Sequence, residues 1–177
     1  MRALGPGSVS SFLKIILDVV YFALWAGVAL LALCALGALL LSFNPELLKG
    51  IHISGDDGRE VTAKGPLLAG VLAAAALYLG GVLIIVGRLR RIFVTLTAGD
   101  PFHPDNVRRL RVVGLVLGGL ELGRYAFWGL AAWLAPGSNR IDGAINLTAW
   151  FSVLVVLVLA EIFREGARLR REAELTI

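Results

Sequence analysis

Apolar residues are concentrated in four long blocks, residues 15–43, 67–87, 112–134 and 145–163, with polar stretches between them. A helix rises about 1.5 Å per residue, so crossing a hydrocarbon core about 30 Å thick takes about 20 mainly apolar residues. All four blocks meet or approach that length, and the pattern predicts four transmembrane helices. The first block carries Asp18 near its start, and the second has no charge. The third encloses Glu121 and Arg124, while the fourth is the most β-branched and carries Glu161 near its end. The first block also far exceeds the roughly 7–15 apolar residues of a cleaved signal peptide, so it reads as a retained helix.

The intervening stretches carry their own signals. In residues 44–66, Ile51-His52-Ile53-Ser54 and Arg59-Glu60-Val61-Thr62 flank Gly55-Asp56-Asp57-Gly58, a pattern that predicts a β-hairpin. A lone hairpin is marginal in water, and residues 140–147 (RIDGAINL) are the natural third strand. The predicted fold class is therefore an all-α membrane protein. It comprises a four-transmembrane-helix bundle with a small extracytoplasmic β-hairpin or three-stranded cap.

In residues 88–111, helix should continue from the second block through Thr97 and stop at Gly99. Pro101 and Pro104 form an elbow, with Phe102 turned toward the membrane interface. Asp105 is placed to N-cap a helix that runs from Asn106 into the third block. Residues 164–177 should prolong the fourth helix as a charged rod, since Glu161/Arg164, Glu165/Arg168 and Arg168/Glu172 have helical i, i+3 or i+4 spacing.

Charge then sets the orientation. The 177 residues are 58% hydrophobic and carry a formal charge of +4, and the mean hydropathy of +0.81 lies well outside the soluble norm. The chain holds 17 Lys and Arg residues. Alternate polar stretches divide them twelve against four, with Arg124 left inside a block. The positive-inside rule places the 88–111 loop, the 164–177 tail and both termini in the cytoplasm, and loops 44–66 and 135–144 outside. The reading is a multi-pass protein of a bacterial inner membrane, with its basic excess directed to anionic lipid headgroups and not to nucleic acid. The single cysteine, Cys34, lies within the first block and has no partner in the chain for a disulfide.

Candidate chemistry is sparse. Glu121 and Arg124 are spaced i, i+3 in mid-block, where a lone charge costs at least a few kcal/mol and seeks a partner. They read as a self-contained intramembrane polar pair. Gly114, Gly118, Glu121, Tyr125 and Trp128 share a helix face that suits packing against neighbouring helices. Small residues such as Gly27, Gly70, Gly80 and Gly81 also permit contacts within one chain or in a homo-oligomer. His52 and His103 fall on opposite sides of the membrane in this topology, and there is no cysteine cluster, phosphate-binding loop or nucleophile beside a base. No enzyme activity, metal or cofactor is expected.

Two stretches resemble a known family. Gly99-Asp100-Pro101-Phe102 with Asn106, Arg109 and Leu110 is similar to the G-x-P-F-x-x-x-N-x-x-R-L signature of domain of unknown function 2975. That family comprises small four-span bacterial membrane proteins. The ending from Leu159-Ala160-Glu161-Ile162-Phe163-Arg164-Glu165-Gly166 through Leu169, Glu172, Leu175 and Thr176 resembles it as well. Members are often encoded beside small helix-turn-helix regulators, so the resemblance implies a regulatory or scaffold protein with a cytoplasmic transcription regulator as partner. The candidate partner-binding residues are Gly99, Pro101, Phe102, Asn106, Arg109, Arg164 and Arg168. The alternative is a protein that binds or transports a small molecule or lipid at Glu121 and Arg124.

Overall fold

The computed structural model describes residues 9–43, 52–54, 60–62, 65–100, 102–134 and 145–175. Four long helices dominate it: α1 (Val9–Leu41), α2 (Gly65–Thr97), α3 (Pro104–Leu134) and α4 (Leu147–Leu175). Each extends past the apolar block that predicts it. The charged ends of α2, α3 and α4 continue as regular helix because no proline interrupts them after their first turns.

The expected β-hairpin or three-stranded cap is not supported, and the architecture is helical. Strands β1 (His52–Ser54) and β2 (Glu60–Thr62) pair antiparallel over three residues, with Ile53 opposite Val61, too short a ladder to form a layer. The described end of the proposed third strand takes another form for a physical reason. Its last residues build a helix start, where Asn146 Oδ1 accepts a hydrogen bond from the Ala149 amide at 3.2 Å and α4 begins at Leu147. Residues 140–144 of that stretch, and the turn at 55–59, lie outside the described residues.

Among the described residues, three helices are long and apolar enough to cross a membrane: α1, α2 and α4. This is a membrane protein, and large side chains such as Leu77 and Leu115 stand 77% and 70% exposed along its helices, as lipid-facing positions should. The helix α3 does not qualify on hydropathy. Glu121, Arg124 and the glycines at 114, 118, 119, 123 and 129 dilute its apolar content.

The chain packs as two units. The unit formed by Ala23–Gly80 brings Gly27 of α1 close to Leu79 of α2, where an added Cβ would lie 3.0 Å from Leu79 Cδ2. The other comprises Met1–Phe22 and Gly81–Ile177. In it, Ile92 (α2), Leu110 (α3) and Ala160 (α4) form a buried cluster flanked by Leu89, Leu96 and Phe163. Gly81 lies against Leu120 and Gly114 against Leu157, so glycines set the spacing of α2 to α3 and of α3 to α4.

Candidate functional site

The second unit's α2–α3 connection gathers most of the residues singled out from the sequence. Gly99 adopts φ +82°, a left-handed conformation that glycine accepts without cost from a Cβ. Its amide donates to the Leu96 carbonyl at 3.1 Å, and the Asp100 amide donates to the Thr95 carbonyl at 3.0 Å. This pair of bonds is a Schellman cap, and it ends α2 where the glycine predicts.

The start of α3 departs from expectation. Pro104, not Asn106, opens the helix, and Asp105 lies inside its first turn. The capping role passes from Asp105 to His103, whose Nδ1 accepts from the Asp105 amide at 3.2 Å and whose carbonyl accepts from the Asn106 amide at 2.9 Å. Proline suits the first helical position because its missing N–H would find no intrahelical acceptor there.

Asn106 is fully buried. Its Nδ2 donates to Thr95 Oγ1 at 2.7 Å, and that hydroxyl lies 2.8 Å from the Ile92 carbonyl as donor. Arg109 Nη1 donates to Asn106 Oδ1 at 3.0 Å and to the Arg91 carbonyl at 3.1 Å. Asn106 and Arg109 thus tie the start of α3 to the end of α2. Leu110 extends the contact into the apolar cluster.

Phe102 packs against α4. A Cβ on Gly166 would lie 2.6 Å from Phe102 Cδ1 and Cε1, and the Phe163 ring is 5.7 Å away, centroid to centroid. The Arg170 guanidinium pairs with Asp100, and Arg111 Nη2 lies 3.7 Å from Glu161. The connection and α4 are therefore packed together, and the two motif-like stretches share one site. Pro101 lies outside the described residues. Gly166, Thr95 and Asp100 were absent from the sequence-based partner-binding residues; the fold brings Gly166 to Phe102, Thr95 to Asn106 and Asp100 to Arg170.

Facing outward beside this lock is a groove of about 460 Å³, with Pro104 and Val107 of α3 on one wall. On the other stand Arg164, Arg168 and Arg171, with Glu165 and Ala167. Arg164 and Arg168 pair along α4, Arg164 with Glu161 and Arg168 with Glu165 at 2.8 Å and Glu172 at 3.3 Å. These are the pairs that the helical spacing predicts.

Glu121 and Arg124 lie elsewhere on α3. Glu121 is 7% exposed, and Arg124 meets it twice, with Nη2 2.5 Å from Oε1 and Nε 3.2 Å from Oε2. The Arg124 guanidinium also lies 4.9 Å from the Tyr125 ring centroid. The bidentate geometry spends the carboxylate's charge on its own helix neighbour. No group of three or more metal-binding side chains occurs among the described residues.

A family profile described as "Protein of unknown function (DUF2975)" matches residues 10–177. The chain belongs to this family. The match includes both stretches that carry the resemblance, and residues 99–110 of this chain form the turn, cap and buried amide network described above. In this member of DUF2975, then, Asn106, Arg109 and Leu110 hold helices together. Neither a curated protein nor a solved structure matches the chain.

Proposed function

We propose that this DUF2975 protein is a four-span bacterial inner-membrane protein with both termini in the cytoplasm. Its α2–α3 connection and the end of α4 together bind a cytoplasmic protein partner. The observation that carries this reading is the joining of the two motif-like stretches into one packed face, with Phe102 seated on Gly166 and an outward groove lined by Arg164, Arg168 and Arg171. Such a groove suits an acidic surface with an apolar contact for Pro104 and Val107. The family resemblance supplies the partner class, a helix-turn-helix transcription regulator held at or signalled from the membrane. The protein acts by binding and not by turnover. The excess of arginines on these connections supports the orientation, and the internally satisfied Glu121–Arg124 pair makes α3 compatible with a fourth span.

Because Phe102 and Arg109 are committed to internal contacts, the groove's own arginines are the sharper probe. A photo-crosslinking amino acid at position 167 of the full chain in its native membrane should capture a helix-turn-helix regulator. Capture should be lost in Arg168→Glu/Arg171→Glu and recovered when an acidic patch on that regulator is changed to lysine. Capture that persists after charge reversal, or a crosslink that contains no such regulator, overturns the reading.

A further inference from the structure

A second concavity, of about 260 Å³, opens between the end of α2 and the start of α3 and shares no lining residue with the groove. Arg88 and Arg91 of α2 and Arg108 and Arg109 of α3 surround it, with Asp105 and Val112. Four arginines and a single acidic residue therefore line one concavity. Asp105 Oδ2 lies 3.7 Å from Arg109 and 3.8 Å from His103 Nδ1, and Arg109 is further held by Asn106 and the Arg91 carbonyl. Several other arginines of this unit are matched by acids: Arg90 by Asp18, Arg111 and Arg164 by Glu161, and Arg170 by Asp100. Arg88, Arg91 and Arg108 have no acidic partner among the described residues.

Depth identifies what could neutralise them. Residues 67–87 carry no charge, and at about 1.5 Å per residue they traverse about 30 Å, the thickness of a hydrocarbon core. Arg88 is the first charge beyond that run, and Arg91 follows at i+3 on the same helix face. On α3, Arg108 precedes by one turn the apolar block that begins at Val112. In the four-span topology proposed above, on which this step rests, both helices deliver guanidinium groups to the level of the lipid phosphates, and the guanidinium fork matches phosphate oxygens two at a time.

We propose that the concavity binds a phosphoryl group presented by the headgroup of an anionic phospholipid. Arg88, Arg91 and Arg108 supply the donors and the charge. Arg109, fixed by Asn106, borders the site, and Val112 marks its apolar side. A bound headgroup would relieve the repulsion among the arginines and hold α2 against α3 at the membrane surface.

The test uses the full chain, reconstituted in phosphatidylcholine nanodiscs with graded phosphatidylglycerol, and native mass spectrometry to count the lipids retained. Wild type should retain phosphatidylglycerol preferentially. Arg88→Gln/Arg91→Gln/Arg108→Gln should lower that retention about fivefold per arginine, about a hundredfold in all. Arg164→Gln/Arg168→Gln/Arg171→Gln should leave it unchanged, and Arg88→Lys/Arg91→Lys/Arg108→Lys, which keeps the charge but loses the fork, should fall between wild type and the glutamine variant. Equal retention of the two lipids by wild type overturns the proposal, whether or not the glutamine variant folds, as does equal loss in both glutamine variants. Inorganic phosphate that binds wild type while phosphatidylglycerol shows no preference transfers the site to a soluble anion and overturns the lipid assignment. A glutamate-rich peptide that binds in place of the lipid does the same in favour of a protein partner.

Discussion

Asn106 shows how much a single side chain can settle. It has no exposed surface, and its amide joins a hydroxyl on α2 to a guanidinium on α3. Removing it leaves Thr95 and Arg109 short of a partner in a place water reaches poorly. Leaving a buried polar group unsatisfied costs about 1–3 kcal/mol. Asn106→Ala should therefore lower the thermal midpoint of the detergent-solubilised protein clearly. Thr95→Val should do so less, and the double variant should cost less than the two effects added, because both remove one bond. Strict additivity would show that the amide and the hydroxyl act independently. Asn106 and Arg109 were visible as motif residues, but their task was not. Thr95 lies eleven residues before Asn106, and only the reversal at Gly99 brings the two side chains to 2.7 Å.

At the scale of the helices, adjacent glycines have opposite roles. A Cβ on Gly81 would lie 2.5 Å from Leu120 Cδ2, whereas one on Gly80 would meet nothing within 4 Å. Alanine is favoured over glycine in a helix interior by about 1 kcal/mol. Gly80→Ala should consequently be neutral or stabilising. Gly81→Ala should lower the thermal midpoint or gain nothing, because the propensity benefit is offset by displacement of Leu120 between α2 and α3. If both variants stabilise equally, the close approach at Gly81 has no energetic weight. Both glycines appeared in the sequence as small-residue candidates for helix contact. Periodicity gave a helix and its faces, but the identity of the touching glycine depends on the rotation of α2 about its own axis, which packing sets.

For the whole molecule, the decisive question is how α3 meets the membrane. Its hydropathy excludes it from the three evident spans, yet its charged residues Glu121 and Arg124 are joined by two hydrogen bonds. The pairing reduces the cost that each would carry alone. In cells, Arg124→Met should reduce the amount of membrane-inserted protein more than Glu121→Gln/Arg124→Met does, because the single change strands a carboxylate. With Cys34 replaced by serine, a cysteine at position 103 should resist an impermeant maleimide added outside intact cells and react in inverted vesicles. Labelling from outside would reverse the orientation and, with it, the proposed faces for partner and headgroup.

The linear chain already contains the number of helices, their approximate extent, the glycine stop at Gly99, the ion pairs along α4 and the excess of basic residues on particular connections. All of these follow from local composition and from spacings within a helical turn or two. The chain did not contain the outcome for the polar loops, where three-residue pairing and the Asn146 cap replace the expected β-cap. Nor did it reveal that His103 caps α3 ahead of Asp105, that Phe102 sits on Gly166, or that arginines from two helices surround one concavity. These depend on which side chains meet across distant parts of the chain, and that is decided by the turn angles and helix rotations that let the apolar cluster of Ile92, Leu110 and Ala160 close.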